Sequence, residues 1–270
     1  MKRPAEPGPM NFEPHRRNRP VPGAQSISRA ASVLRAVGNM RGKPPTLSGI
    51  ANIAGLKIPT ARRLLQALAN EGFLVFDSQK KTYQVGPDLI ALTAASDEMF
   101  AMRDILITAC REIAAKTSDT TVLMVRRGDS AVCVGRVEGA FPIRVMTLDV
   151  GSIRPLGAGS GSLALVAFLP EDECRQILTR NEKEFARFGL TLDDILAQAE
   201  HGREIGYSFN PGRILPGVAG IGVPILRDDK IVASISVIAI ESRLDQARRG
   251  EIMKIIKKAV SRLQHFHVGS

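Results

Sequence analysis

The chain has 270 residues, 44% hydrophobic and 24% charged, a composition that excludes a largely disordered protein. It holds no run of about 18 apolar residues, which argues against a membrane-spanning helix. Its net charge of +10 is unevenly placed: residues 1–96 carry 14 Lys/Arg against 5 Asp/Glu, and the remainder carries 23 against 22, a cationic head on a nearly neutral body.

Residues 1–24, rich in Pro, Arg and Asn, are expected to form a disordered basic arm. Its run Arg16-Arg17-Asn18-Arg19 is of a kind more often solvated than phosphate-bound. Ile27, Ala30, Ala31, Leu34 and Val37 recur at helical spacing and predict a first helix, broken by Gly42-Lys43-Pro44-Pro45. Thr46 caps a short second helix carrying Leu47, Ile50, Ala51 and Ala54, and Gly55 makes a tight interhelical turn. A third helix opens with Pro59 at its first position, shows Ala61, Leu64, Leu65 and Leu68 on one face, and stops at Gly72. Phe73–Phe76 and Thr82–Val85 around the polar loop Asp77–Lys81 read as a hairpin. Three helices and a hairpin in about 60 residues make a winged helix-turn-helix.

After Asp88 a connecting helix is expected (Leu89, Leu92, Met99), then another on Ile105, Leu106, Ala109, Cys110 and Ile113. The texture then turns to α+β. Strands are expected at Thr121–Val125 and Ala131–Val137, at Ile143–Met146, and at Val218–Leu226 and Ile231–Ile240. The glycine-rich Gly157–Ser162 runs into the apolar Leu163–Leu169, Thr191 and Asp194 form a capping-box start for a helix through Ile205, and a last amphipathic helix carries Ile252, Ile255, Ile256, Ala259 and Leu263.

In a helix-turn-helix the second helix enters the major groove, so donors are needed near its N-terminus. Lys57, Thr60, Arg62 and Arg63 lie there, with Thr60 and Arg63 three residues apart and able to project together. Lys80 and Lys81 at the hairpin tip suit phosphate or minor-groove contact. The competing view, a merely solvated helix face, explains any one of these residues better than it explains the group.

These residues also carry a resemblance. Gln25-Ser26, Arg29-Ala30, Ala54-Gly55-Leu56, Pro59-Thr60, Arg63-Leu64-Leu65, Leu68, Glu71-Gly72 and Tyr83-Gln84-Val85-Gly86 resemble the IclR (isocitrate lyase regulator) family of bacterial transcription factors. Gly151, Pro155-Leu156, Ala158, Leu163-Ala164, Gly206-Tyr207 and Val223-Pro224 continue it in the family's order, so it covers about residues 25–266. The resemblance implies an α+β protein: an N-terminal winged helix-turn-helix joined by a helix to a C-terminal GAF-like α/β effector-binding domain. It also implies double-stranded operator DNA as a partner, with Arg29 joining the DNA-contact residues, and a homodimer or homotetramer. The expected division is a basic arm at 1–24, the DNA-binding domain at 25–87, a linker helix at 88–102 and the effector-binding and oligomerisation domain at 103–267.

Within the body, Gly157-Ala158-Gly159-Ser160-Gly161-Ser162 lacks both the Lys-Ser/Thr ending of a phosphate loop and the spacing of a nucleophile elbow. It reads as a turn feeding a helix N-terminus, where free N–H groups suit a carboxylate, or as a tight turn packed on a strand. The family resemblance implies a small carboxylic acid effector held by Met146, Gly159, Ser160, Gly161, Asn210, Gly220 and Ser236. Leu163, Asn210 and Gly220 depart from the family pattern, which has Lys, an acid and Cys there. Asn210 would not repel an anion, and glycines at 220 and 222 leave more room and let backbone approach closely, so an acid larger or differently substituted than the very small keto acids is expected. Arg144, Arg154 and Arg213 are candidate carboxylate partners, although arginines are more often surface charges.

No catalytic constellation is evident. Asp193-Asp194 and Asp228-Asp229 sit at a helix start and a turn tip, and His201 has no nucleophile partner in sequence. His265 and His267 fall on different helix faces, so neither metal nor cofactor is expected. Cys110, Cys133 and Cys174 fit free thiols in a reducing compartment, and with no apolar leader after Met1 the expected location is the cytoplasm. The leading function is therefore a ligand-responsive transcription regulator, repressor or activator. The alternatives are a sequence-tolerant nucleic-acid-binding oligomer without an effector and an enzyme with a DNA-binding appendage.

Overall fold

The computed structural model describes residues 23–40, 44–94, 97–143, 148–263 and 265–269. Nearly all of the expected arm, Arg144, and the Arg144–Met146 part of the expected third strand lie outside these residues; Ile143 itself is in a bend. The chain divides into two compact units at Ala95/Ser96.

The first unit begins with α1 (Gln25–Asn39), α2 (Leu47–Ala54) and α3 (Ile58–Asn70). The Thr46 hydroxyl accepts the Gly49 N–H at 3.4 Å, capping α2, and Gly55 ends it in the left-handed conformation (φ 64°). Ile58, not Pro59, opens α3, with Lys57 as N-cap and Pro59 one place in. The helices pack around Val33, Ala36, Ile50, Leu65 and Leu68, closed below by Leu74 and Tyr83. The hairpin follows as β1 (Leu74–Asp77) and β2 (Thr82–Val85), paired antiparallel with Asp77 opposite Thr82. Thr46 bridges to Thr82, and the Tyr83 N–H donates to the Pro45 carbonyl at 2.9 Å, fastening the wing to the start of α2. A short helix α4 (Pro87–Ala94) closes the unit.

The second unit opens with α5 (Asp97–Thr117), a single helix that runs through the expected 102/103 boundary. Strands β3 (Thr120–Arg127) and β4 (Ser130–Val137) turn at Gly128-Asp129, and β5 (Ile153–Pro155) is a three-residue edge strand. Helices α6 (Ser160–Ala167), α7 (Glu171–Phe185) and α8 (Leu192–Ile205) precede β6 (Ser208–Leu215), β7 (Val218–Arg227) and β8 (Lys230–Ile240). Helix α9 (Gln246–Val260) and β9 (His267–Val268) complete the chain. The strands form one antiparallel sheet in the order β5-β4-β3-β8-β7-β6, with β9 paired to β7.

Alternation along the strands sorts the side chains into two layers. Leu123, Ile221, Val223, Ile235 and Val237 face α5 and α9, where Leu106, Cys110, Ile113, Ile252 and Ile256 cover them. Val122, Met124 and Ile238 face the other way, beneath α6–α8 with Leu163, Ile177, Leu178 and Phe185. All three cysteines are free and buried. Among the described residues no helix is long and apolar enough to cross a membrane.

The start of α6 lies directly on the sheet because the strands beneath it carry almost no side chain. Gly222 stands opposite both Ser208 and Ser236, and Gly220 opposite Asn210 and Ile238. A Cβ on Gly222 would fall inside contact distance of the Ser160 carbonyl. Ser208 Oγ donates to that carbonyl at 2.6 Å, and Ser234 Oγ to the Gly161 carbonyl at 2.7 Å. Gly222→Ala must therefore lift α6 from the sheet. The expected cost is about 1–3 kcal/mol of the second unit's stability, read from thermal or urea unfolding of the full chain.

Candidate nucleic-acid interface and ligand cleft

In the first unit, burial of Ala61, Leu65 and Leu68 decides which way α3 faces. Lys57, Arg62 and Arg63 are exposed, Thr60 is half-buried, and Leu64, expected inside, is only partly covered. The first two turns thus present two guanidinium groups, an ammonium and a hydroxyl away from the core. The same turns carry no acidic residue, so nothing on the helix itself neutralises them. Arg29 is exposed on α1.

At the wing tip, Asp77 Oδ1 accepts the N–H groups of Gln79 and Lys80 at 3.0 and 2.9 Å. Those bonds, the one from Lys80 foremost, hold its carboxyl below the usual range, and they fold the tip so that Lys80 and Lys81 stand in solvent. Lys80 Nζ lies 3.8 Å from Asp77, an exposed pair of little energetic weight. The DNA-contact residues named from sequence, Arg29, Lys57, Thr60, Arg62, Arg63, Lys80 and Lys81, therefore all belong to this one unit, none of them in its core.

In the second unit, a cleft at the α6 N-terminus is lined by Arg154, Gly159, Ser160, Asn210, Ile214, Leu215, Val218, Ala219, Gly220 and Ile238, with ≈ 300 Å³ of atom-free space including its open mouth. Gly159, Ser160, Asn210 and Gly220, named from sequence, meet here. Gly161 and Ser236 do not line it; they face each other in the seam below, Ser236 Oγ lying 2.9 Å from where a Gly161 Cβ would stand. That buried hydroxyl has no hydrogen-bond partner among the described residues. Met146 lies outside the described residues.

One expectation is corrected, and packing bears on a second. Gly220 does not leave room for a larger ligand: Ser160 Oγ already occupies the space, 2.6 Å from where a Cβ would be, so the glycines bring α6 down rather than widen the cleft. Arg154 is not a surface charge: it is 5% exposed and stands in the cleft wall. Burial lowers its pKa to about 10, which still leaves it cationic at neutral pH. Its guanidinium carbon is 5.8 Å from the centre of the Phe188 ring. Arg213, by contrast, pairs with Asp194 at the surface.

The cleft's polar groups are mostly donors. Gly159, the N-cap of α6 (φ 97°), provides no side-chain cap for the first-turn N–H groups. Asn210 Oδ1 accepts the Arg213 N–H at 3.0 Å, so its Nδ2 is what remains to offer a ligand. A larger hollow of ≈ 530 Å³ between α7 and α8 is lined by Glu171, Glu200, Arg175 and Arg203. There opposite charges offset one another, with Arg175 3.7 Å from Glu171, and no set of like donors converges.

The other carboxylates serve structure. Asp194 completes a capping box with Thr191, and Asp228 and Asp229 make the left-handed β7–β8 turn. His201 is exposed beside Glu204 at 3.3 Å. Among the described residues no three His, Cys, Asp or Glu side chains are grouped to hold a metal ion.

Comparison with known proteins gives a consistent result. Residues 26–78 match the family model described as IclR helix-turn-helix domain, and residues 100–265 match bacterial transcriptional regulator IclR C-terminal. The chain is 28% identical over 248 residues to the HTH-type transcriptional repressor AllR of Escherichia coli (strain K12), covering 88% of this chain and 90% of that one. It is 24% identical to the HTH-type transcriptional regulator KipR of Bacillus subtilis, over 79% and 86% of the two chains. A crystal structure of an IclR transcriptional regulator from Alicyclobacillus acidocaldarius shares the fold with a TM-score of 0.71 at 24% identity, covering 88% of this chain and 96% of that one. An IclR homolog from Microbacterium hydrocarbonoxydans complexed with 4-hydroxybenzoate superposes with a TM-score of 0.70 at 18% identity, over 88% and 100%.

The wing lysines are exposed and carry no packing, so Lys80→Ala and Lys81→Ala should leave unfolding within about 0.5 kcal/mol of the parent. Each should reduce the salt dependence of duplex binding, log K against log[salt], by about 0.9 for every phosphate that is no longer neutralised. Gel shifts at several salt concentrations measure this.

Proposed function

The chain belongs to the IclR family of bacterial transcriptional regulators, and on that premise we propose that α3 reads operator DNA while the cleft at α6 receives a small carboxylic acid. The protein is a ligand-responsive DNA-binding transcription regulator with a separate effector domain, and not an enzyme.

One observation carries the DNA assignment: the inward face of α3 is fixed by Ala61, Leu65 and Leu68, which leaves Lys57, Thr60, Arg62 and Arg63 at its start for the groove. Arg63 and Arg62 suit bidentate contact to guanine, Thr60 a base edge or phosphate, and Lys57, Lys80, Lys81 and Arg29 the backbone. We assign residues 1–24 to a basic arm, 25–87 to DNA binding, 88–102 to a linker and 103–267 to effector binding and oligomerisation. The second unit's antiparallel sheet between two helical layers is in keeping with a GAF-like domain. A homodimer or homotetramer would set two α3 helices against half-sites about one DNA turn apart, and the effector would shift their spacing. A cytoplasmic location fits this role.

The carboxylate reading is supported by the cleft's donors and by Asn210, neutral where an acid would repel an anion. The Microbacterium hydrocarbonoxydans homolog, crystallised with 4-hydroxybenzoate, is a fold neighbour with an acid of this class.

The test is a gel shift with a duplex selected from a random pool, against random duplex. A specificity ratio of about 10³ or more is expected, and a flat profile would favour the sequence-tolerant oligomer. Thr60→Ala with Arg63→Ala should cost about 1–3 kcal/mol for each well-formed base interaction removed. A saturating effector should change operator affinity about 5–150-fold.

A further inference from the structure

Helix α3 opens on an isoleucine that its core does not use. Ile58 holds the first helical position, after the N-cap Lys57, and is 52% exposed. The inward residues of α3 are Ala61, Leu65 and Leu68. Among the described residues, Ile58 belongs neither to the buried cluster that Leu65 and Leu68 join nor to the side chains packed against it. Its surroundings are cationic: Lys57 precedes it, Arg62 stands one turn on along the same side, and both are exposed, as is Arg63. Helical side chains lean toward the N-terminus, so Ile58 projects past the start of α3, the end that meets base edges when such a helix enters the major groove. Isolated apolar side chains are common on protein surfaces and need no partner. This one differs in its place, inside the footprint of a polyanion.

We infer that Ile58 is a specificity residue that reads the C5 methyl group of a thymine in the operator, close to the base pair met by Arg62. The inference rests on the reading of α3 as the operator-binding helix and adds to it a base and an atom. Cations serve any phosphate, whereas an aliphatic side chain gains nothing from one. Along the major groove the edges of all four bases carry polar donors and acceptors, and the thymine methyl is the one apolar group among them. Against that methyl the isoleucine removes apolar surface from water. Anywhere else on a base edge it would strip a polar group of its water and return no hydrogen bond. Arg62 and Arg63 suit guanine through hydrogen bonds, so Ile58 supplies what they lack, discrimination of thymine from an unmethylated pyrimidine.

The experiment starts from an operator duplex selected out of a random pool by the full-length protein. Each thymine is replaced in turn by 2′-deoxyuridine, together with its symmetry-related partner where the duplex has one. The replacement removes the methyl and leaves base pairing intact. Gel shifts then measure every duplex against the parent protein and against Ile58→Ala. At one thymine position the replacement should weaken parent binding about fourfold for each methyl lost, the worth of one buried methyl group. Ile58→Ala should bind the thymine duplex more weakly and be indifferent to that replacement, and Ile58→Val should keep part of the difference. Because Ile58 is exposed, Ile58→Ala should retain the parent's thermal unfolding; the thymine scan on the parent protein decides the matter even if it does not. A selected duplex in which no thymine responds overturns the inference. Sensitivity kept in full by Ile58→Ala overturns it too: with undiminished affinity the methyl belongs to another side chain, and with equal loss on both duplexes the isoleucine lies in a contact between copies of the chain. The reading of α3 has its own arm. Failure to select any duplex, or a selected duplex bound equally well after Thr60→Ala with Arg63→Ala, would end that reading and the inference with it, whereas a specific operator indifferent to uracil removes only Ile58.

Discussion

Close approach of the α6 N-terminus to the sheet is the constraint on which the second unit depends. A helix normally packs on a sheet through side chains, about 10 Å away, and its first turn then lies far from the strands. Here Gly220 and Gly222 remove the intervening atoms, while Ser208 and Ser234 hold the helix by donating to the carbonyls of Ser160 and Gly161. These hydroxyls are buried and would be costly if left unmade, so the seam is specific as well as tight. The result is a helix start whose backbone N–H groups border a cleft rather than open solvent, with Asn210 and Ile238 beside it on the flanking strands.

The first unit solves a different problem by a simpler route. Its core is a continuous apolar cluster with one exposed α3 face, and the cations lie on that face because the inward positions are filled by Ala61, Leu65 and Leu68. Exposed cations of this kind contribute little to folding, which leaves the surface free to be set by its ligand. The cleft at α6 is the reverse case. Its arginine is buried, and the seam that shapes it also holds α6 in place, so the form of the cleft and the stability of the second unit are coupled.

Legibility follows the same division. The α3 face, the wing, the β3–β4 and β7–β8 hairpins and the α8 capping box could all be read from sequence because each rests on local spacing: apolar periodicity, turn residues or a Thr191–Asp194 pair. Helix α7 carries the signal in weaker form: Cys174, Ile177, Leu178 and Phe185 keep helical spacing, but the polar Asn181 stands in the same stripe and the rest of the helix is polar. β5 is three residues long, and β6 is interrupted between Asn210 and Leu215, so neither shows an alternation. Gly220, read as room or as close backbone approach, and Arg154, read as a carboxylate partner or a surface charge, stayed open in the sequence for one reason. A sequence shows a missing side chain as space and a charged one as surface, whereas the packing of α6 and the pairing of β5 with β4, both long-range, decide the opposite.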